Sequence, residues 1–75
     1  MKTDKDWADQ AKRLLKVELA KQGLTYADLV GKLADVGVFD SEPNIRNKIS
    51  RGKFTAVFLL QCLEAIGASS LRLSD

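Results

Sequence analysis

The chain has 75 residues, 45% of them hydrophobic and 29% charged, and a formal net charge of +2. Its one cysteine, Cys62, rules out an intrachain disulfide, and without any histidine it cannot build a zinc site alone. No apolar run approaches the roughly 18 residues that span a bilayer, and no signal peptide is evident, so a reducing cytoplasm is the expected setting.

This length predicts one small domain over residues 1–75, with no repeat, linker or low-complexity tract. A core this small supplies only about 3–5 kcal/mol of net stability. Self-association is the remaining way to add to it.

Hydrophobic spacing predicts four helices. The first covers about residues 4–22, with Thr3 and Asp6 forming a capping-box variant. Trp7, Ala11, Leu14, Leu15 and Leu19 recur at helical spacing, which makes Trp7 an expected core anchor. Asp4, Asp6 and Asp9 read as favourable charges at a helix start rather than as a metal cluster. Gly23 followed by Leu24 reads as a stop. The second helix covers about 26–36, capped by Thr25, with Leu29, Val30 and Leu33 as its buried stripe. Gly31 inside it costs up to about 1 kcal/mol relative to alanine, a cost that close backbone approach to a neighbour would explain.

The third helix covers about 41–51. Asp40 or Ser41 can cap it, Pro43 is tolerated in its first turn, and Gly52 ends it. At 100° per residue, Ile45 and Ile49 lie together and face inward. Asn44, Asn47, Lys48 and Arg51 face the other way, flanked by Arg46 and Ser50. The positive charge gathers here. Residues 1–40 hold seven Lys/Arg and seven Asp/Glu, whereas Ser41–Lys53 holds Arg46, Lys48, Arg51 and Lys53 against Glu42 alone. Such a stripe is the footprint of a phosphate-binding surface, although most exposed Asn, Lys and Arg are simply solvated.

Those residue types suit a DNA major groove. Arginine can bridge guanine O6 and N7, and asparagine can bridge adenine N6 and N7. Asn44, Asn47, Lys48 and Arg51 are therefore the candidate base contacts. Thr25, Tyr26, Arg46, Ser50 and Lys53 are the candidate phosphate contacts, and Lys48 suits either role. The start of the second helix offers backbone N–H groups to a phosphate. Tyr26 reads equally as a phosphate contact or a cap neighbour.

The fourth helix covers about 56–66, with Thr55 as N-cap and Gly67 as stop. Val57, Phe58, Leu59, Leu60, Cys62, Leu63 and Ile66 span an arc wider than one buried stripe, which predicts burial on two sides. One side is the core. The other meets a second copy through Val57 and Leu60, or is covered by the first helix or the tail. Cys62 reads as a core residue, and Phe54 as packing beneath the turn between helices three and four. Residues 68–75 form a polar tail in which Leu71 and Leu73 alternate around Arg72, a hint of a short strand.

Gly23-Leu24-Thr25-Tyr26-Ala27-Asp28-Leu29 resembles the G-L-T-x-x-x-L opening of the Cro/C1-type helix-turn-helix family. Asn44 to Lys53 resembles that family's recognition helix and following turn, and Leu63-Glu64-Ala65-Ile66-Gly67 the A-x-A-L-G that ends its next helix. Asn44–Phe54 with Leu60–Gly67 also resembles a group of small bacterial proteins known only as a domain of unknown function. The first resemblance implies an all-α, compact four-helix, lambda-repressor-like fold, usually dimeric, that binds double-stranded DNA as a transcriptional regulator. The connection from Ala34 to Asp40 is longer than that family's turn, and Tyr26 stands where a phosphate-contacting Gln is common.

The expectation is thus a non-enzymatic binder of double-stranded DNA, acting as a homodimer, with no cofactor, metal, membrane or small-molecule ligand. The alternative is a protein-interaction module whose basic helix meets an acidic partner. Single-stranded RNA binding is weaker, since stacking aromatics are scarce.

Overall fold

A computed structural model describes residues 1–73 as four helices and, among those residues, no strand. They are α1 (Asp4–Lys21), α2 (Tyr26–Asp35), α3 (Glu42–Arg51) and α4 (Ala56–Ala65). Each end lies within one residue of the boundary read from hydrophobic spacing. The caps explain that agreement. Thr3, Thr25, Ser41 and Thr55 each sit in extended backbone and accept a hydrogen bond from the amide three residues on. Thr3–Asp6 and Thr25–Asp28 close complete capping boxes, in which the aspartate also accepts from the threonine amide.

The C-terminal ends of α1, α2 and α4 repeat one device. A glycine is followed by an apolar residue whose N–H reaches back into the last turn: Leu24 to Leu19 O, Val38 to Leu33 O and Ala68 to Leu63 O, each at 2.9 Å. At the end of α2 the glycine is Gly37, which periodicity alone did not pick out; its φ is +82°.

One core joins the four helices. Leu15 and Leu19 from α1, Leu29 and Leu33 from α2, Ile45 and Ile49 from α3, and Phe58 and Cys62 from α4 are buried together, with Ile66 just beyond. Helix α3 packs on α1 and α2, and α4 packs on α2. Phe54 is half-buried against this cluster, its ring centroid 5.6 Å from that of Phe58. Cys62 is fully buried in this core, as expected of a packing residue, and that burial pushes its thiol up to about 12.

Gly52 is the tightest joint. It ends α3 with φ +65°, is itself buried, and lies against α1. A Cβ there would overlap the Ala8 carbonyl oxygen and sit 2.6 Å from its carbonyl carbon. Only glycine meets both demands, left-handed backbone and no side chain.

Three expectations need correction. Trp7 is not a core anchor: it is 57% exposed, with the Lys2 ammonium 4.5 Å from its ring centroid. Trp7 lies about 80° around the helix from Leu15, off the row that Leu15 and Leu19 bury, and the close contact at this end of α1 is made by its neighbour Ala8 against Gly52. Gly31 allows no close approach, since it is exposed and a Cβ would meet nothing within 4 Å. Leu71–Leu73 is not a strand; an isolated strand needs a sheet edge to pair with, and the helices supply none. Instead the Leu73 carbonyl accepts a 3.2 Å hydrogen bond from Gln10 on α1. The remainder of the tail expectation, Ser74 and Asp75, lies outside the described residues.

Candidate functional site

Helix α3 divides its side chains cleanly. Ile45 and Ile49 are fully buried, and every polar residue from Asn44 to Arg51 is exposed. Asn44, Asn47, Lys48, Arg51 and Lys53 line one open recess of about 310 Å³. All four candidate base contacts are therefore on one surface, joined by Lys53 from the turn beyond Gly52.

The other candidate residues are not part of that recess. Arg46 points toward the start of α2, with its guanidinium carbon 5.5 Å from the Tyr26 ring centroid. It pairs with Glu42 at 2.6 Å, and the two share a separate groove with Lys16, Leu24, Thr25 and Tyr26. Ser50 turns its hydroxyl back on the helix, donating to the Asn47 carbonyl at 3.2 Å. At the α2 start the capping box consumes the Thr25 and Asp28 amides, leaving those of Tyr26 and Ala27. Hydrogen bonds from Thr25 hold the Asp28 carboxyl below its ordinary range, so an anion already occupies this helix end. The α2 start is therefore less open to a phosphate than the sequence implies.

Asp40 makes contacts with the α3 face that its reading as a cap did not anticipate. Ser41 caps α3, and Asp40, just before it, instead engages two side chains of that helix. Its carboxylate accepts from Lys48 Nζ at 2.8 Å, Asn44 Nδ2 at 3.1 Å and the Ser41 amide at 2.8 Å. These bonds, that of Lys48 foremost, hold its carboxyl below the usual range. The sequence carried only part of the signal: Asp40 stands four and eight residues before Asn44 and Lys48, but ahead of the α3 cap and so off the helix wheel. Counting Asp40 with the first 40 residues hid it, and the cationic stripe is less one-sided in space than along the chain.

Arg51 and Lys53 carry no ion-pair partner among the described residues, and Asn47 projects from the centre of the outward face. The recess thus combines two unpaired cations, one unengaged amide and one amide held by a carboxylate.

Val57 and Leu60 are 63% and 66% exposed, so neither α1 nor the described tail covers that side of α4. Phe39, beside Asp40, is 81% exposed and was not singled out by periodicity because it lies outside any helix. Among the described residues no group of acidic and cysteine side chains is placed to hold a metal ion, and no helix is long and apolar enough to cross a membrane.

The family model described as "Domain of unknown function (DUF6471)" matches residues 7–71, and the chain belongs to that family. No curated protein and no solved structure matches it.

Proposed function

We propose that this member of the DUF6471 family binds double-stranded DNA, with α3 laid in the major groove and no catalytic activity of its own. One observation carries the reading: a ten-residue helix anchored by two fully buried isoleucines gathers Asn44, Asn47, Lys48, Arg51 and Lys53 around a single recess. Arg51 suits guanine and Asn47 adenine, each bidentate pair contributing about 1–3 kcal/mol of discrimination. Lys53 suits a flanking phosphate, and Arg46 with Tyr26 a phosphate on the other side of the helix. The resemblance of Gly23–Leu29 and Asn44–Lys53 to the Cro/C1-type helix-turn-helix points the same way. The connection at residues 36–41 exceeds the three or four residues usual for that motif, so the family's docking angle does not carry over to this chain.

We further propose a homodimer joined through Val57 and Leu60 that regulates transcription in the cytoplasm. Two-fold symmetry would set two copies of α3 on successive groove turns, about 34–36 Å apart, on a palindromic site.

A second reading has its own support. Asp40 and Glu42 mix acid into the basic face through ion pairs of 2.8 and 2.6 Å, which fits a protein partner of mixed charge. Fluorescence-anisotropy titration of labelled duplex DNA at low and moderate salt separates the two. Wild type is expected to bind with steep salt dependence. Folded Asn47→Ala/Arg51→Ala is expected to lose affinity or sequence preference. Wild type that ignores DNA at low salt, or a double variant that binds identically, would leave the protein-partner reading.

A further inference from the structure

We infer that Asp40 is a specificity-determining positioning residue of the α3 face, which fixes the direction of the Asn44 amide and withholds Lys48 from phosphates. The inference rests on the DNA-binding reading and deepens it.

Three donors converge on this one carboxylate, whose side chain is only 17% exposed. An ionised carboxylate accepts and never donates. Asn44 must therefore turn its Nδ2 toward Asp40 and its Oδ1 away. A free asparagine can turn over and present either group to a base. With Asp40 in place, one amide hydrogen is occupied while the other and Oδ1 remain available. That pair, one donor beside one acceptor, is what adenine N7 and N6 require. Asp40 thus gives Asn44 a fixed polarity as a reader without touching a base.

Lys48 is held differently. Its ammonium sits between the Asp40 carboxylate at 2.8 Å and the Phe58 ring, whose centroid is 5.0 Å away. The ring belongs to α4 and the carboxylate to the connection before α3, so the ammonium is held between the two. A phosphate that takes Lys48 has to compete with the Asp40 carboxylate already bound to it. Sequence-independent affinity comes from cations that release counterions, and Lys48 is removed from that count while Asp40 holds it. Discrimination gains because non-specific affinity is trimmed while Asn47 and Arg51 stay unpaired.

The test is a double-mutant cycle on the salt dependence of binding to a random-sequence duplex, read by anisotropy. It uses wild type, Asp40→Asn, Lys48→Ala and the double variant, each checked by thermal melting. Asp40→Asn is expected to steepen the slope of log K against log salt by about 0.9, one additional phosphate contact. Lys48→Ala is expected to flatten the slope by that amount in the Asp40→Asn background and clearly less in wild type. In a selected duplex pool, Asp40→Asn is expected to weaken the preference for adenine at one position. Equal flattening in both backgrounds, or no steepening by Asp40→Asn, overturns the inference and leaves the DNA reading intact. Failure of every variant to bind duplex DNA at low salt overturns both. Should Asp40→Asn not fold, Asp40→Ser removes the same charge and takes its place in the cycle.

Discussion

Helices α3 and α4 are both ten residues long, both capped by a hydroxyl side chain, and adjacent in the chain. Each buries two side chains in the common core, Ile45 and Ile49 in one case, Phe58 and Cys62 in the other. They differ in what faces away from that core. Helix α3 offers amides and cations, which water satisfies until a ligand does. Helix α4 offers Val57 and Leu60, which water does not satisfy. An outward polar face can wait unoccupied at no cost, whereas an outward apolar face gains free energy from any cover of about 25 cal/mol per Å². The two helices therefore fit two kinds of contact, a polar ligand at α3 and an apolar partner at α4.

The most severe way to break this pair is at the joint between them. Gly52→Ala adds left-handed strain of order 1–3 kcal/mol and an overlap with Ala8 that overpacking data place at about 1–3 kcal/mol more. Against a core supplying about 3–5 kcal/mol, the variant is expected to be largely unfolded by circular dichroism. A cooperative melt near that of wild type would mean that the Gly52 turn does not dock on α1.

A milder pair of changes sharpens the contrast between the faces. Ile49→Ala, at a fully buried site, is expected to cost about 2–5 kcal/mol in urea unfolding. Leu60→Ser, at a 66% exposed site, is expected to change monomer stability by no more than about 0.5 kcal/mol. The same variant is expected to shift sedimentation toward monomer where wild type self-associates. A large stability loss for Leu60→Ser at high dilution would show that something within the chain covers this face.

A gain instead of a loss is expected outside both helices. Gly31→Ala should stabilise by up to about 1 kcal/mol, because Gly31 is exposed, helical and free of any neighbour within 4 Å of a Cβ. A loss of stability would reveal a contact on α2 that the isolated chain does not make.

Most of the fold was legible in the sequence, and the reason is local. Thr3, Thr25, Ser41 and Thr55 mark helix starts through hydrogen bonds that span three residues, and the glycine-apolar stops span one turn. The inward rows were equally plain, since Leu15 and Leu19, Leu29 and Leu33, and Ile45 and Ile49 are each one helical turn apart. Trp7 shows where that logic ends. It shares the apolar periodicity of α1, yet burial depends on what packs there, and at this end of α1 the packed residue is Ala8, against Gly52, while Trp7 stays exposed.

The candidate site divides along the same line. By itself the sequence determined which residues share the outward face of α3, because a helix wheel is geometry within one segment. It determined too that α4 is apolar on more than one side. Only the tertiary structure decided how those side chains are engaged: Arg46 taken by Glu42 and turned to Tyr26, Lys48 held between Asp40 and Phe58, and Val57 and Leu60 left uncovered. Periodicity fixes the direction a residue faces. Its partners depend on how the connection at 36–41 and the Gly52 turn set one helix against the next, and that requires all the helices to be packed at once.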